Sequence, residues 1–175
     1  MEPLLTFGHG TATEPEITDL LNGAGVERVV DVRRFPGSRR HPHVAAAELE
    51  RWLPAAGIGY RWEPRLGGRR SAPRGTDNVD VWWEVAAFRA YAAHARTSEF
   101  REALGELLEQ AVPRTVVMCS ESLWWRCHRR LIADVVVLLH ERPVLHLGHD
   151  GRLTEHRPAP GARVTADGVV YDRAD

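Results

Sequence analysis

Lysine is absent: all 23 basic residues of this 175-residue chain are arginine. That excludes chemistry resting on an amine side chain, such as Schiff-base formation and pyridoxal-phosphate anchoring, and a phosphate loop closed by a lysine. Cysteine is nearly absent, with only Cys119 and Cys127. Two cysteines, and an N-terminus without the charged region of a signal peptide, lead us to expect a reducing, cytoplasmic setting without a structural disulfide. No apolar run approaches the roughly 20 residues that span a bilayer, so no membrane association is expected. Net charge is lacking too: 24 acidic residues against 23 arginines leave −1, which advertises no general affinity for nucleic acid.

What is present suits one globular α/β domain, with 43% hydrophobic and 27% charged residues. The charge is segregated. From Arg28 to Arg74 there are eleven arginines against four acids, and from Gly75 to Pro113 three against seven. The first stretch is a candidate surface for an anionic ligand; ion pairs between neighbouring elements account for it equally well.

Apolar patterning predicts strands at Leu4–Phe7, Val26–Val32, Ile58–Trp62, Thr115–Met118 and Pro143–Leu147. Between them lie helical patterns: one capped by Thr13 with Glu16 as its capping-box partner, then Ala45–Leu53, Trp82–Ala95, Ser98–Gln110, and a long one running from Trp124 through Leu139. The alternation predicts a three-layer α/β sandwich with helices on both faces of a mainly parallel sheet of about five strands. We assign residues 1–157 to this domain. The tail, 158–175, carries Asp167-Gly168 flanked by Arg163-Val164-Thr165 and Val169-Val170-Tyr171, and reads as a short C-terminal β-hairpin packed on it.

Right-handed crossovers put every β→α loop on one edge of such a sheet, where helix N-termini also point. Gly8-His9-Gly10, Asp31–His43, Leu66–Arg70, Cys119–Ser122 and His146–His149 collect there. Cys119 leaves a buried strand at that edge, and nearby arginines 126, 129 and 130 would lower its pKa. Cys127 falls about one and a half turns into the expected helix, where apolar surroundings would raise its pKa.

Three readings of these residues compete. Either a thiolate acts as nucleophile, or Cys119, Cys127, His128 and His9 bind zinc, or arginines and histidines bind an anion while the cysteines only pack. Asp31-Val32-Arg33 with a cysteine after a central strand is similar to rhodanese-like domains, but Cys119 to Arg126 encloses six residues, including bulky Leu123, Trp124 and Trp125.

In order along the chain, several motifs resemble the family named domain of unknown function 488. They are Thr6-Phe7-Gly8-His9-Gly10, Val29-Val30-Asp31-Val32-Arg33, Leu66-Gly67-Gly68-Arg69, Cys119-x-Glu121 and Cys127-His128-Arg129. The resemblance implies that His9, Arg33, Cys119, Glu121, Cys127, His128 and Arg129 form one cluster, with Gly10 standing where the family usually has serine. It implies no reaction.

The expectation is a small enzyme, a thiol-dependent transferase or hydrolase, acting on an anionic small molecule or nucleotide, with nucleic acid a further candidate partner. Cys119, Cys127, His128, Glu121 and His9 are the catalytic candidates, and Arg33, Arg39, Arg69 and Arg129 the substrate-binding ones. No metal ligand is assigned, although zinc remains the rival cofactor. The tandem arginines 39–40 and 69–70 also suit a solvated surface, and the loop Arg69–Val79, with proline and glycine, is expected to cover the cleft as a lid. The rival class is a non-catalytic anion or nucleic-acid binding module.

Overall fold

The computed structural model describes residues 1–71 and 78–173. Five strands, β1 (Leu4–Gly8), β2 (Arg28–Asp31), β3 (Gly59–Trp62), β4 (Thr115–Cys119) and β5 (Val144–Leu147), run parallel in the order β3-β2-β4-β1-β5. A sixth, β6 (Leu153–Glu155), pairs antiparallel to β5 and closes that edge. The sequence hides it because it is three exposed residues long, without an apolar face; only the turn before it, Gly148–Gly151, is a signal.

Helices cover both faces. Ile17 and Leu21 of α1 (Glu14–Gly23), with Leu49, Trp52 and Leu53 of α2 (Ala46–Ala55), pack on Leu5, Phe7, Val29, Val116 and Met118. Residues of α3 (Ala86–His94), α4 (Ser98–Glu109) and α5 (Arg129–His140) pack on Leu4, Val30, Val117 and Cys119. The period-2 alternation of β4 thus sends Val116 and Met118 to one layer, Val117 and Cys119 to the other. Local signals agree: Thr13 and Glu16 form the expected capping box, and the Thr97 side chain accepts from the Phe100 N–H to start α4.

Two helices begin later than the sequence predicts, for tertiary reasons. The α3 helix starts at Ala86, not Trp82, because the Trp82 N–H donates to the Tyr171 carbonyl at 2.9 Å while Trp83 packs edge-on against Phe88. The α5 helix starts at Arg129, not Trp124. Trp124 lies flat on His146, ring centroids 4.2 Å apart, and the chain there makes only a 3-10 turn, Trp124–Arg126. Cys127 is therefore not inside a helix. It precedes α5 with extended backbone (φ −120°, ψ 148°).

The C-terminal hairpin, β7 (Ala162–Thr165) and β8 (Gly168–Tyr171), packs against α5 through a buried polar network. Asp134 accepts from the Tyr171 hydroxyl (2.8 Å), from His156 Nε2 (2.7 Å) and from the Ala159 N–H (3.2 Å). His156 Nδ1 faces His146 Nε2 at 2.9 Å, and His146 Nδ1 faces the Thr6 hydroxyl at 2.6 Å. With Asp134 as acceptor, each proton along this line has one satisfied position. Among the described residues, no helix is long and apolar enough to cross a membrane.

Candidate functional site

After β1 the chain crosses by α1 toward β2; after β4 it crosses by α5 toward β5, in the opposite direction and over the opposite face. The loops after the two neighbouring strands diverge and leave a crevice, the usual ligand position in an open α/β sheet. Their backbones stay paired just beyond the strands: the His9 N–H donates to the Cys119 carbonyl (3.0 Å) and the Gly10 N–H to the Ser120 carbonyl (2.8 Å).

At the floor of the crevice Cys119 Sγ receives a hydrogen bond from Arg129 Nη1 at 2.7 Å. The same guanidinium donates to the Glu121 carbonyl and, at 3.0 Å, to the Ser122 carbonyl, and so ties down the turn after β4. Arg129 is 1% exposed, and no carboxylate pairs with it among the described residues. A buried guanidinium without a counter-ion costs several kcal/mol. Its partners are two carbonyls and one sulfur, so the one group able to balance the charge is Cys119 as thiolate.

Glycine at position 8 makes the approach feasible. A Cβ built there would overlap the Glu121 carbonyl and stand 2.6 Å from Arg129 Nη1.

Cys127 Sγ lies 2.7 Å from Cys119 Sγ, and both thiols are free. Because Cys119 accepts from Arg129, the Cys127 S–H is the donor of the pair. Burial alone would raise the Cys119 pKa; the Cys127 hydrogen bond, then the Arg129 charge and hydrogen bond, overcome it and pull the thiol down to about 7. Cys127 goes the other way. Burial and the neighbouring Cys119 push it well above the usual thiol range. His128 Nδ1 stands 3.6 Å from Cys127 Sγ, and its Nε2 is shielded without a hydrogen-bond partner among the described residues. Burial, with the Arg129 and Arg70 charges, holds its pKa down at about 3.

On the other side of β4, Arg33 clasps Asp31 through Nε–Oδ1 (2.8 Å) and Nη2–Oδ2 (2.7 Å). The Tyr60 hydroxyl and the Arg33 N–H also donate to that carboxylate, at 2.7 and 3.1 Å, which leaves Asp31 no free capacity as a base. Arg33 Nη1 points at His9 Nε2, 3.3 Å away, and His9 Nδ1 is 2.9 Å from the Gly10 carbonyl. That fixes the neutral tautomer with the proton on Nδ1. Burial, then the Arg33 charge, lowers the His9 pKa to about 4.

The cleft above these groups has a volume of about 850 Å³. His9, Arg33, Cys119, Glu121, Cys127, His128 and Arg69 all line it, so most of the expected cluster converges at the carboxyl edge of the sheet. Arg129, expected to bind substrate, is not among the residues lining the cleft; its guanidinium donates to Cys119 Sγ and two carbonyls. Arg39 does not line the cleft; its neighbour Arg40 does. Glu121 is exposed at the rim, with Oε1 accepting from the Leu123 N–H at 3.1 Å, so it holds the 3-10 turn and not the start of α5. Of the lid stretch 69–79, residues 72–77 lie outside the described residues.

Sequence reasoning passed over Arg34, Phe35, Ser122 and Tyr91, which also line the cleft. Phe35 is 60% exposed under the Arg34 guanidinium, 5.2 Å from its ring centroid. The signal for the first two was their place in the β2 loop, three and four residues beyond Asp31. Tyr91 is brought in by α3, which the sequence does not connect with this edge. Among the described residues Glu121 is the one carboxylate lining the cleft, against arginines 33, 34, 40, 69 and 126. Arg40, Arg69 and Arg126 make no ion pair among the described residues. Nor do three His, Cys, Asp or Glu side chains gather anywhere among those residues so as to hold a metal ion.

A model of the family described as domain of unknown function DUF488 matches residues 14–136 of the chain. Neither a curated protein nor a solved structure matches it.

Proposed function

The chain belongs to the DUF488 family, and from that premise we propose that it is a small thiol-dependent enzyme acting on an anionic substrate. One observation carries this reading: the buried Arg129 guanidinium donates to Cys119 Sγ at 2.7 Å and has no carboxylate partner among the described residues. A cation built into the floor of a cleft, with a sulfur as its counter-charge, is the setting of an activated thiol nucleophile.

In the reading, arginines 40, 69 and 126 draw an anion into the cleft and hold it over Cys119. Cys119 attacks an electrophilic centre of the substrate and carries the transferred group as a covalent thio-adduct. Arg33, locked by Asp31, presents Nη1 to His9 and fixes that wall of the site. Glu121 has one carboxylate oxygen without a hydrogen bond among the described residues, stands at the rim within the loop that bears the nucleophile, and is our choice for proton transfer to or from the leaving group. A reducing compartment, the cytoplasm, is the setting in which both thiols persist.

Alkylation of the native protein by iodoacetamide across pH, with peptide mapping by mass spectrometry, tests the reading. Modification should fall on Cys119 with a midpoint near 7, well below that of an ordinary thiol. If neither cysteine reacts in the folded protein, the arginines serve a non-catalytic anion-binding module and the thiol reading is lost.

A further inference from the structure

The second thiol has no task in a single nucleophilic step, yet it is the nearest reactive group to the first. Cys119 and Cys127 line the same cleft with their sulfurs 2.7 Å apart. They differ in their surroundings. Cys119 sits at the end of a strand with Arg129 against it, whereas Cys127 lies on the extended residue between a 3-10 turn and α5, its N–H donating to the Trp124 carbonyl at 3.2 Å and its carbonyl accepting from the Arg130 N–H at 3.0 Å. One thiol is set to ionise first and the other to wait as S–H.

From this geometry we propose that Cys127 is the resolving thiol for Cys119, and that the pair reduces anionic low-molecular-weight disulfides. The proposal rests on Cys119 being the nucleophile of the preceding section. The Cys119 thiolate attacks one sulfur of R–S–S–R; the Cys119–S–R bond forms, the S–S bond of the substrate breaks, and RS⁻ departs. Cys127 then attacks Cys119 Sγ; the Cys119–Cys127 bond forms, the second R–S group leaves, and the proton lost by Cys127 ends on it as RSH. In sum, the substrate disulfide gains two electrons and the protein dithiol loses them, as thiol–disulfide exchange requires.

The electrostatics time the second step. While Cys119 is a thiolate, its charge opposes ionisation of Cys127 and takes up the Arg129 cation. Once Cys119 is bonded to R–S it carries no charge. The buried cation is then unbalanced, and the closest group able to supply an anion is Cys127. Adduct formation thus switches on the thiol that removes it. Arginines 40, 69 and 126 at the rim, without an ion pair among the described residues, select for negative charge on R.

The test uses reduced wild-type protein, freed of reductant, and one equivalent of 5,5′-dithiobis(2-nitrobenzoate), a dianionic disulfide. We expect two coloured thiolates released per protein and a monomer lighter by two hydrogens, while Cys127→Ser releases one and keeps the mixed disulfide on Cys119. If wild type also keeps a stable mixed disulfide on Cys119, the resolving role falls while the nucleophile stands. If Cys119 does not react at all in the native state, the thiol-enzyme reading itself fails. Should Cys127→Ser not fold, the wild-type stoichiometry decides alone. The release rate should fall about tenfold or more from low to high salt, as steering by arginines requires; a salt-independent rate removes the preference for anionic substrates.

Discussion

Replacing Arg129 by methionine removes the cation at 2.7 Å from Cys119 Sγ and keeps an unbranched side chain of similar length. In the native site, burial opposes ionisation of Cys119, and the Cys127 hydrogen bond together with Arg129 brings the thiol down to about 7 from its ordinary value of 9.0. Without Arg129, burial is answered only by Cys127 and the local backbone, so the midpoint should return to 9 or above. Two pH units correspond to ~3 kcal/mol of differential stabilisation of the thiolate. At pH 7 the thiolate fraction falls from about one half to ~1%, roughly fifty-fold. A more basic thiolate is also more nucleophilic; with a Brønsted slope of about 0.4–0.5, two units return a factor of ~10, leaving a net loss of ~5-fold at pH 7. Above about pH 8 the order should reverse, with the variant the faster.

The assay is the pH–rate profile of iodoacetamide alkylation at Cys119, with circular dichroism to establish that the variant folds. Crossing profiles, and not a uniform decrease, are the signature of a shifted pKa. A folded Arg129→Met protein with its midpoint still near 7 would refute the argument, because the buried cation would then be irrelevant to the sulfur. Loss of the charge also removes the Arg129 donors from the Glu121 and Ser122 carbonyls. Some loss of stability, about 1–3 kcal/mol, should therefore accompany the shift without itself moving the midpoint.

Three further outcomes are expected. Gly8→Ala, whose Cβ collides with the Glu121 carbonyl and Arg129 Nη1, should cost about 1–3 kcal/mol in urea denaturation and move the Cys119 midpoint upward; unchanged values for both would mean that the close approach has no role. Iodoacetate should alkylate Cys119 with a rate advantage over iodoacetamide that drops about tenfold or more when Arg40, Arg69 and Arg126 are all changed to alanine, and an advantage that survives the triple change would clear those arginines of any part in anion recruitment. His9, His128 and His146 are held, chiefly by burial, at about 4, 3 and 3, below the ordinary 6.5. Between those limits the unfolded chain binds protons that the folded one does not, so stability is intact above about pH 6.5 and declines as pH falls, at up to ~4 kcal/mol per unit for three groups; acid unfolding should be complete by about pH 4, and a fold retained at pH 3 by circular dichroism would contradict it.

How far the sequence discloses this site follows from what each signal depends on. Strands of β-branched residues, the capping box at Thr13 and Glu16, and the Asp167-Gly168 hairpin are local, and all are found as expected. The gathering of β→α loops on one edge follows from handedness, and so His9, Arg33, Cys119 and Glu121 come together. The start of α5 was not legible, since the apolar spacing from Trp124 onward suits a helix. What breaks it is contact: Trp124 is taken by His146, a residue of β5, and a continuous helix could not meet that stack while turning Cys127 toward Cys119. The buried line from Thr6 through His146 and His156 to Asp134 was hidden for the same reason. Its members are 22 and 140 residues apart at the farthest bonded pairs, and no periodicity links them.

The absence of lysine acquires a physical meaning at Arg129. A lysine there would bring one compact charge and would satisfy the sulfur or the turn carbonyls, whereas the planar guanidinium reaches Cys119 Sγ and the carbonyls of Glu121 and Ser122 together. The residue that stabilises the thiolate is thus the one that shapes the loop carrying Glu121, and it is anchored by the buried Leu131, Ile132, Val135 and Val136 of its own helix. Each of those side chains contributes about 1.5–3 kcal/mol on burial, more than a surface ion pair supplies. The cation under the sulfur is therefore held by the core. Arginines 40, 69 and 126, exposed and unpaired among the described residues, are by contrast free to adapt to a ligand. In the proposed function, an anionic substrate would meet a thiol already about half ionised at pH 7 and a rim still adjustable, so its negative charge would govern recruitment without being needed to create the nucleophile.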